Sequence, residues 1–417
     1  MRWWLSLVLL LGLAPLAICW GLWALFALLA LLPPRKIAAG KGERKIDILI
    51  PAHNERLLLP RLLESLTGQT AAGLSRRGQT LVIADHCSDD TATLARAGGA
   101  TVLERNSGPR GKPAALRDGI ALLQGAAPDH AIVIIDADCT VTGNLLESLA
   151  GALDAGHRVA QAAYILDAGP VVAGQKLHTP ALIAFALKNL IRPKGMGRIG
   201  LPTQLFGTGM CFHPEVLGKI SFADHLTEDL KISHDLLLAG IGPRFLPEAV
   251  VRSPLPEERS AMTTQKLRWE TGQVQTWAKL PGMLVRLVAR GHWRSAVSLV
   301  DWSAPPVALA VGGWLVLAGV ATGLAAAGWV PWAVLLPFAV TLCLLVGYII
   351  LGTLQIAGAA AVVSLFVAVP RFLLWKIALY VRMISGRGAK TWDRTPRGSA
   401  AESAAAASPP VVEQGKS

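Results

Sequence analysis

The chain has 417 residues, of which 52% are hydrophobic and only 16% are charged, and its formal net charge is +12. So low a content of charge is unusual for a soluble protein, and the length allows one large domain together with membrane elements. The basic excess fits nucleic acid, anionic lipid or a phosphate-bearing substrate. Because the sequence has no zinc-finger spacing, no aromatic RNA-binding motif and no long Lys/Arg run, we expect no nucleic-acid partner. The five cysteines include no CxxC pair, which argues against a disulfide framework and a structural zinc site.

The first apolar segment, from Trp3 to Leu32, contains no charged residue. About twenty apolar residues cross a bilayer, so residues 1–34 are predicted to form a transmembrane helix that tilts or bends at Pro15. The alternative is a cleaved signal peptide, whose apolar region is normally shorter. Five basic residues lie between positions 35 and 45. The positive-inside rule therefore predicts that this flank and the domain after it are cytoplasmic.

Short apolar runs alternate with helical patterns over residues 45–281. The predicted strands are 47–50, 80–84, 101–103 and 131–135, and the predicted helices are 57–66, 90–97 and 112–123. Strands that alternate with helices indicate an α/β domain with a largely parallel sheet. Ligands of such sheets bind beyond the carboxyl ends of the strands, which is where the chemistry is expected.

The last third of the chain is again apolar. Residues 282–302 mix Arg and His with Leu, Val and Trp and predict one interfacial amphipathic helix. Residues 303–385 are predicted to be a membrane region, in which a short run at 356–369 leads into a basic stretch that re-enters the bilayer or lies in the interface. Two runs in this region are long enough to span a bilayer: 307–330 and 332–354. Residues 386–417 are predicted to be a cytoplasmic tail, disordered at its Ala/Ser/Pro-rich end.

Acidic residues follow two of the predicted strands. Asp85 ends the second strand and could accept hydrogen bonds from a base or ribose, although Asp is also common in turns and helix caps. Asp136 and Asp138 follow the fourth strand and have no other evident partner in the sequence. Because the chain turns there, both carboxylates can converge on one cation. A divalent ion held by one or two carboxylates and substrate phosphates is the usual arrangement for Mg²⁺ or Mn²⁺.

Two later motifs each have a structural and a functional interpretation. The Thr-Glu-Asp sequence at 227–229 is either a helix cap with acids favoured by the helix dipole or the site of a general base. Gln265, Arg268 and Trp269 share one face of a predicted helix. Arg can hold a diphosphate and Trp can stack on a sugar ring. The alternative is an amphipathic helix on the membrane surface.

In order and spacing, these motifs resemble those of the membrane glycosyltransferases of family 2, the relatives of cellulose, chitin and hyaluronan synthases. The resemblance covers residues 46–397. The matching segments are Ile50-Pro51-Ala52-His53-Asn54-Glu55, Asp85, Arg110-Gly111-Lys112, Asp136-Ala137-Asp138, Phe206-Gly207-Thr208-Gly209, Thr227-Glu228-Asp229 and Gln265-xx-Arg268-Trp269. The segment Lys390–Arg397 is similar to the tails of bacterial exopolysaccharide transferases. One departure is His86, which stands where many relatives have Asn and affects the expected nucleotide contacts.

The resemblance implies a GT-A fold flanked by membrane helices and an inverting single displacement. The implied donor is a nucleotide-diphosphate sugar, expected to be a UDP-sugar. The implied acceptor is a membrane or lipid-linked glycan, in cell-surface polysaccharide synthesis at the inner membrane and in contact with membrane lipids. Asp229 would be the base, Asp138 with help from Asp136 would bind Mg²⁺ or Mn²⁺, and Trp269 and Glu228 would face the acceptor. The implied donor-binding residues are Ala52, Glu55, Asp85, Lys112, Asp136, Gln265 and Arg268.

Several other functions are weighed against this one. A processive polysaccharide synthase would carry the same Gln-xx-Arg-Trp motif, but about three apolar spans can hardly enclose a polar path for a glycan. A non-catalytic module that binds nucleotide sugars would lack a metal or base carboxylate, and both are present. A Rossmann oxidoreductase needs a GxGxxG motif after the first strand, where the sequence has none. A transporter would need charges in the apolar segments, which contain almost none.

Overall fold

The computed structural model describes residues 2–34, 44–167, 178–220, 222, 227–255 and 259–382. The expected cytoplasmic flank is therefore described only from Arg44 onward, and the predicted tail at 386–417 lies outside the described residues.

Helices and strands alternate through the first two thirds of the chain, as predicted. The strands are β1 (Ile46–Ala52), β2 (Arg77–Asp85), β3 (Thr101–Arg105), β4 (Ala131–Ile134), β5 (Thr140–Val141), β6 (Val159–Asp167), β7 (Met210–Phe212) and β8 (Arg244–Pro254). The helices up to β8 are α1 (Trp3–Leu29), α2 (Leu59–Thr67), α3 (Ala71–Arg76), α4 (Thr91–Ala97), α5 (Lys112–Ala126), α6 (Leu145–Asp154), α7 (His178–Ala186), α8 (Arg192–Arg198), α9 (Pro214–Leu217) and α10 (Glu228–Leu238). A π-helical turn, Leu187–Ile191, joins α7 to α8. The later helices are α11 (Arg259–Thr276), α12 (Leu280–Ala289), α13 (Trp293–Ser303), α14 (Val307–Ala326) and α15 (Leu335–Arg382).

The strands of the described chain form one eight-stranded sheet in the order β3-β2-β1-β4-β7-β6-β8-β5. The four strands predicted from the sequence are mutually parallel. The other half is mixed, because β7 runs antiparallel to both β4 and β6 and β5 runs antiparallel to β8. The expectation of a largely parallel sheet therefore holds for the first half only.

Two apolar layers cover the sheet, one on each face. Ile46, Ile48 and Ile50 of β1 face the layer that contains α2 and α6. Leu49 points the other way and packs in the layer that contains α5 and α10. Because successive side chains of a strand point to opposite faces, a strand covered on both sides is continuously apolar. This burial fixes the carboxyl ends of β1, β2 and β4 at one edge.

Three of the described helices are long and apolar enough to cross a membrane, namely Trp3–Leu29, Val307–Ala326 and Trp332–Lys376. The sequence separated a second span ending at 354 from a shorter segment after it. In the structure α15 is likewise divided: it consists of two helical parts that meet at a kink at Gly358, where φ is 76° and ψ is −176°. Glycine adopts such a conformation without the steric cost that other residues would have. The part after the kink contains Pro370.

The amphipathic segment at 282–302 is not one helix, as the sequence predicted, but two. Gly291 has a φ of 72° and separates α12 from α13. A residue in the left-handed region ends an α-helix, and glycine is the usual one. The apolar faces of both helices pack in one cluster with Phe26 of α1 and Leu237 of α10. These faces are therefore covered by protein rather than directed only at lipid.

The first candidate membrane helix, α1, is fixed to the α/β domain through α8. Arg192 donates hydrogen bonds to Asp301 from Nε at 3.0 Å and from Nη2 to the backbone oxygen at 2.9 Å. Trp23 of α1 donates to the same carboxylate, with its Nε1 at 3.0 Å from Oδ1. These groups are buried, so the ion pair is shielded from water. It holds α1, α8 and α13 in a fixed arrangement beside the α/β domain.

Replacing Gly195 with alanine is expected to loosen this arrangement. An added Cβ at Gly195 would overlap the backbone carbonyl of Phe26, whereas a Cβ at Gly197 on the same helix would meet nothing within 4 Å. Overpacking typically costs about 1–3 kcal/mol, so Gly195→Ala should lower the unfolding temperature in detergent. Gly197→Ala is the matched control and should leave it unchanged or raise it, because alanine favours a helix. Equal unfolding temperatures for the two variants would show that α1 and α8 are not in close contact.

Candidate active site

A cavity of about 580 Å³ begins at the carboxyl ends of β1, β2 and β4 and extends to the membrane helices α14 and α15. The register of β1 and β2 pairs Ala52 with Ala84, so the two strands end side by side. Sequence-based expectations for an α/β sheet placed the site at this edge. The structure adds that the cavity continues from there to the apolar helices.

Asp85, at the end of β2, is buried and already has partners on both oxygens. Its Oδ1 accepts a hydrogen bond from Arg105 Nη1 and lies 3.0 Å from His86 Nδ1. Its Oδ2 accepts from the Gly111 backbone N–H at 2.8 Å. A carboxylate oxygen has two acceptor positions, so Oδ2 can still accept one further bond. Asp85 thus fixes the loop before α5 and also lines the cavity.

The loops after β1 and β2 hold each other in an unusual conformation. Asn54 and His86 are the described residues other than glycine with a positive φ, at 55° and 51°. Asn54 Oδ1 accepts a hydrogen bond from the Ser88 backbone N–H at 2.7 Å, and the Glu55 N–H donates to Thr91 Oγ1 at 2.8 Å. Backbone strain of this kind costs free energy and is common at functional sites. His86, the position at which the family resemblance leads to an expectation of Asn, therefore has a strained backbone and lies beside Asp85.

Lys112 lies between the acidic residues of two motifs. Its Nζ is 2.6 Å from Asp136 Oδ1 and 3.3 Å from Glu228 Oε1, and it donates to the Gly207 carbonyl at 2.8 Å. Burial alone would lower the pKa of Lys112, but the nearby carboxylates raise it above its ordinary value. Lys112 therefore stays protonated. The premise that Asp136 has no partner is corrected, since its partner lies far away in sequence on α5.

Asp138 and Asp136 both open on the cavity, while Ala137 between them is buried. Asp138 Oδ2 accepts a weak hydrogen bond from Ser253 Oγ at 3.4 Å, and Oδ1 is 3.3 Å from Cys139 Sγ. Among the described residues, no group of three or more His, Cys, Asp or Glu side chains could hold a metal by itself. One or two carboxylates suffice where substrate phosphates complete the coordination of a divalent ion. The two side chains fit that kind of site.

Asp229 lies in the first turn of α10 and is half-buried in the cavity wall. Burial and the neighbouring Glu228 raise the pKa of Asp229 to about 7, against the lowering effects of the Leu230 N–H, Lys112 and Lys188. The Thr227 side chain makes no capping hydrogen bond, and Asp229 Oδ1 itself accepts from the Leu230 N–H at 2.8 Å. A carboxyl group that titrates near neutral pH is suited to general-base catalysis.

The three residues predicted to share a face of α11 all line the cavity. Gln265 Oε1 is buried and has no hydrogen-bond partner among the described residues, as expected of a group that binds a substrate. Burial lowers the pKa of Arg268, and the carboxylates of Glu228, Asp136 and Asp229 oppose that effect. The Trp269 ring lies 5.7 Å from that of Phe185. The alternative of a helix that only covers the membrane surface is not supported by this placement.

The structure brings all of the predicted site residues to one cavity. They are Ala52, Glu55, Asp85, Lys112, Asp136, Asp138, Glu228, Asp229, Gln265, Arg268 and Trp269. Their individual roles stay predictions.

The sequence did not single out five charged residues that also line the cavity, which are Lys188, Arg192, Lys266, Glu270 and Lys376. The signal was present for Lys376, because a lysine in an apolar segment is costly unless it is paired. It is buried and forms an ion pair with Glu270 of α11.

Comparisons with known proteins agree with this geometry. Residues 44–272 match the model of the family described as glycosyltransferase like family 2. A search of the curated proteins found no match. A solved structure of the mannosyltransferase PcManGT from Pyrobaculum calidifontis, in complex with GDP-Man and Mn²⁺, has 18% sequence identity and a TM-score of 0.52. The alignment covers 87% of this chain and 97% of that chain.

A solved structure of glucosyl-3-phosphoglycerate synthase from Mycobacterium tuberculosis, in complex with Mn²⁺ and UDP-Glc, has 19% sequence identity and a TM-score of 0.38. That alignment covers 59% of this chain and 83% of that chain. At sequence identities this low, structural similarity shows only that the proteins share a fold. The family model, by contrast, spans more than half of the sequence. The chain therefore belongs to glycosyltransferase family 2, and it is a glycosyltransferase with a GT-A fold.

Proposed function

We propose that this enzyme transfers a sugar from a nucleotide-diphosphate sugar, in our proposal a UDP-sugar, to a hydroxyl group of a lipid-linked acceptor. The observation that carries the proposal is the continuity of the cavity, which runs from the carboxylates at the sheet edge to the apolar helices. The reaction takes place at the cytoplasmic face of a bacterial inner membrane and contributes to a cell-surface polysaccharide.

The end of the cavity at the carboxyl ends of β1, β2 and β4, which we call the donor end, supplies groups that can bind a nucleoside diphosphate. Ala52, Glu55 and Asp85 line it at the carboxyl ends of β1 and β2, where the nucleoside would lie. Lys112 and Arg268 are cations close to Asp136 and Glu228. When the glycosidic bond breaks, negative charge develops on the leaving diphosphate, and cations held in a buried site stabilise that charge well.

Asp138, with Asp136 beside it, would hold Mg²⁺ or Mn²⁺ against the diphosphate. Asp138 is the main candidate, because Asp136 is already engaged by Lys112 at 2.6 Å. A bound ion would neutralise charge on the leaving group. The two similar solved structures contain Mn²⁺, which agrees with this proposal.

Asp229 takes the proton of the acceptor hydroxyl as that oxygen attacks the anomeric carbon. Its pKa of about 7 allows a large ionised fraction at neutral pH together with useful basicity. Attack opposite the leaving diphosphate inverts the anomeric configuration in one displacement. Trp269 and Glu228 line the same cavity as Asp229 and would orient the acceptor.

The far end of the cavity is lined mainly by apolar side chains of α14 and α15. Six of them are Val307, Val311, Leu345, Ile349, Leu365 and Val369. Such a surface accommodates a hydrocarbon chain and offers no binding groups to a free sugar. A lipid-linked acceptor whose head reaches Asp229 and whose tail lies between the two helices fits this shape.

We further propose that one sugar, or very few, is added per acceptor. A glycan that crosses a bilayer needs a polar path, because unpaired hydroxyl groups in hydrocarbon are costly. The three candidate spans of the described chain are built of Leu, Val and Ala, and their cavity surface is mainly apolar. A processive synthase would need a different lining.

Purified enzyme in detergent should release nucleoside diphosphate from one member of a panel of UDP- and GDP-sugars when a short lipid-linked sugar is present. Mass spectrometry of the lipid product should show one discrete mass increase. A ladder of many added sugars, formed without a partner protein, would contradict single addition. Release that does not depend on any lipid acceptor would contradict the proposed acceptor class.

A further inference from the structure

Beyond Asp229, on the way to the membrane helices, the cavity contains a second group of cations. Lys188, Lys266 and Lys376 line it together with the carboxylate of Glu270. The steps proposed above use none of these residues. Lys188 lies outside the motifs that carry the family resemblance, and Lys266 occupies one of the two unspecified positions of Gln265-xx-Arg268-Trp269.

The carboxylates in this part of the site already have partners. Glu270 forms its ion pair with Lys376. Asp301 is bound by Arg192, with Nη2 at 2.7 Å from Oδ1. The two remaining amines, those of Lys188 and Lys266, have no ion pair among the described residues. The cavity therefore holds two amines that make no direct ion pair within the described part of the chain, although Asp229 and Glu270 lie within electrostatic reach.

Lys266 of α11 contacts aromatic rings instead of a carboxylate. Its Nζ lies 4.9 Å from the centre of the Trp269 ring and 5.7 Å from that of Phe185. Burial, followed by the charges of Lys376 and Lys188, lowers the pKa of Lys266 to about 7, although Glu270 acts in the opposite direction. A buried ammonium in these surroundings is stabilised when an anion binds beside it.

Lys188 lies on the π-helical turn between α7 and α8. Its side chain is accessible from the cavity, which is itself enclosed by protein on several sides. Burial and then Arg192 lower the pKa of Lys188, against smaller effects of Asp229 and Asp301. Turns of this kind interrupt α-helices most often at functional sites. The turn places this amine within the electrostatic reach of the base.

The two groups of cations have different surroundings. Lys112 and Arg268 interact with Asp136 and Glu228, at the donor end. Lys188 is influenced by Arg192, Asp229, Asp301 and Glu270, and Lys266 is influenced by Lys376, Glu270 and Lys188. Asp229 is influenced by both Lys112 and Lys188. The second group therefore lies in the part of the cavity that is shared by Asp229 and Lys376 of α15.

We propose that Lys188 and Lys266 bind a phosphate group of the acceptor. The acceptor is then a lipid in which a phosphate or diphosphate joins the hydrocarbon chain to the hydroxyl-bearing head. This inference rests on the proposed function, which puts the acceptor hydroxyl at Asp229 and the chain between α14 and α15. It excludes a lipid that has an uncharged head, such as a simple alkyl glycoside, as the preferred substrate.

The test compares farnesyl diphosphate with farnesol, which have the same chain and differ in the charged group. Binding to the full-length protein is measured in a neutral detergent, with Mn²⁺ and saturating UDP or GDP to fill the donor site. We expect the diphosphate to bind more tightly by at least about tenfold, the scale of one charge-assisted hydrogen bond. Lys188→Met and Lys266→Met should each remove about tenfold of this preference.

Two further variants serve as controls. Lys266→Arg keeps the charge and should retain the preference. Lys279→Met removes an exposed lysine that lies just after α11 and outside the cavity, and it should also retain it. Unfolding temperatures of all variants, measured in parallel, distinguish a lost binding group from a misfolded protein.

The other outcomes overturn the inference. If farnesol and farnesyl diphosphate bind the wild type equally, the head group is not recognised by charge, while the proposed lipid acceptor still stands. If inorganic pyrophosphate binds as tightly as farnesyl diphosphate, the amines form a site for free phosphate. If Lys188→Met and Lys266→Met weaken UDP or GDP binding instead, they belong to the donor site. If neither lipid binds at all, the proposed function itself fails.

Discussion

Replacing Asp229 with asparagine is expected to lower kcat by about 100-fold or more, the usual scale for the loss of general-base catalysis. Asparagine keeps an oxygen that can accept the Leu230 N–H, which Asp229 accepts at 2.8 Å, so the first turn of α10 should remain intact. Donor affinity, measured by titration with the nucleotide sugar, should be nearly unchanged. Steady-state kinetics with donor and lipid acceptor provide the measurement.

The pH profile gives an independent check of the same residue. Because the pKa of Asp229 is raised to about 7, the carboxyl group is protonated and inactive as a base below that pH. The value of kcat/KM for the wild-type enzyme should rise about tenfold per pH unit up to about pH 7 and then level off. The asparagine variant should lack this rise.

Asp235→Asn is the matched control for Asp229→Asn. Asp235 lies on the same helix and forms an ion pair with Lys231, with 2.6 Å between Oδ2 and Nζ, and both side chains are partly exposed to solvent. An exposed ion pair of this kind contributes little to stability. Its loss should therefore leave kcat and the pH profile unchanged. If Asp229→Asn also retains full kcat, Asp229 serves only to begin α10, as the helix-cap interpretation holds.

Removal of the divalent metal should have an effect of similar size. Chelation by EDTA is expected to reduce turnover by about 100-fold or more, since an ion on the diphosphate supplies several kcal/mol of transition-state stabilisation. Addition of Mn²⁺ or Mg²⁺ should restore it. Asp138→Ala should lower turnover to the same degree, and excess metal should not restore it.

A readout that does not require turnover completes this test. Mn²⁺ binding in the presence of nucleoside diphosphate, followed by electron paramagnetic resonance, should be lost in Asp138→Ala. Glu215→Ala removes an exposed carboxylate outside the cavity and should bind Mn²⁺ normally. Full turnover in excess EDTA would remove the metal from the proposed mechanism.

The sequence predicted the first half of the domain well because the local signals there are strong. The strands β1, β2 and β4 each contain an apolar run, at 48–50, 81–84 and 131–134, and predicted site residues lie at or shortly after their carboxyl ends. The second half was harder to predict. β5 and β7 have only two and three residues, too few to show a periodic pattern, and their antiparallel pairing depends on neighbours that are distant in sequence.

The order and spacing of the motifs along the chain were enough to predict the family and the side chains that lie together at the carboxyl ends of the strands, since strand ends and helix starts are encoded locally. Only the tertiary structure decided what those side chains meet. It paired Lys112 with Asp136, raised the pKa of Asp229 by burial, and placed Lys188 and Lys266 in one cavity with the membrane helices. The physical reason is that burial and charge–charge distance depend on residues separated by tens to hundreds of positions, and no local pattern in a single sequence records them.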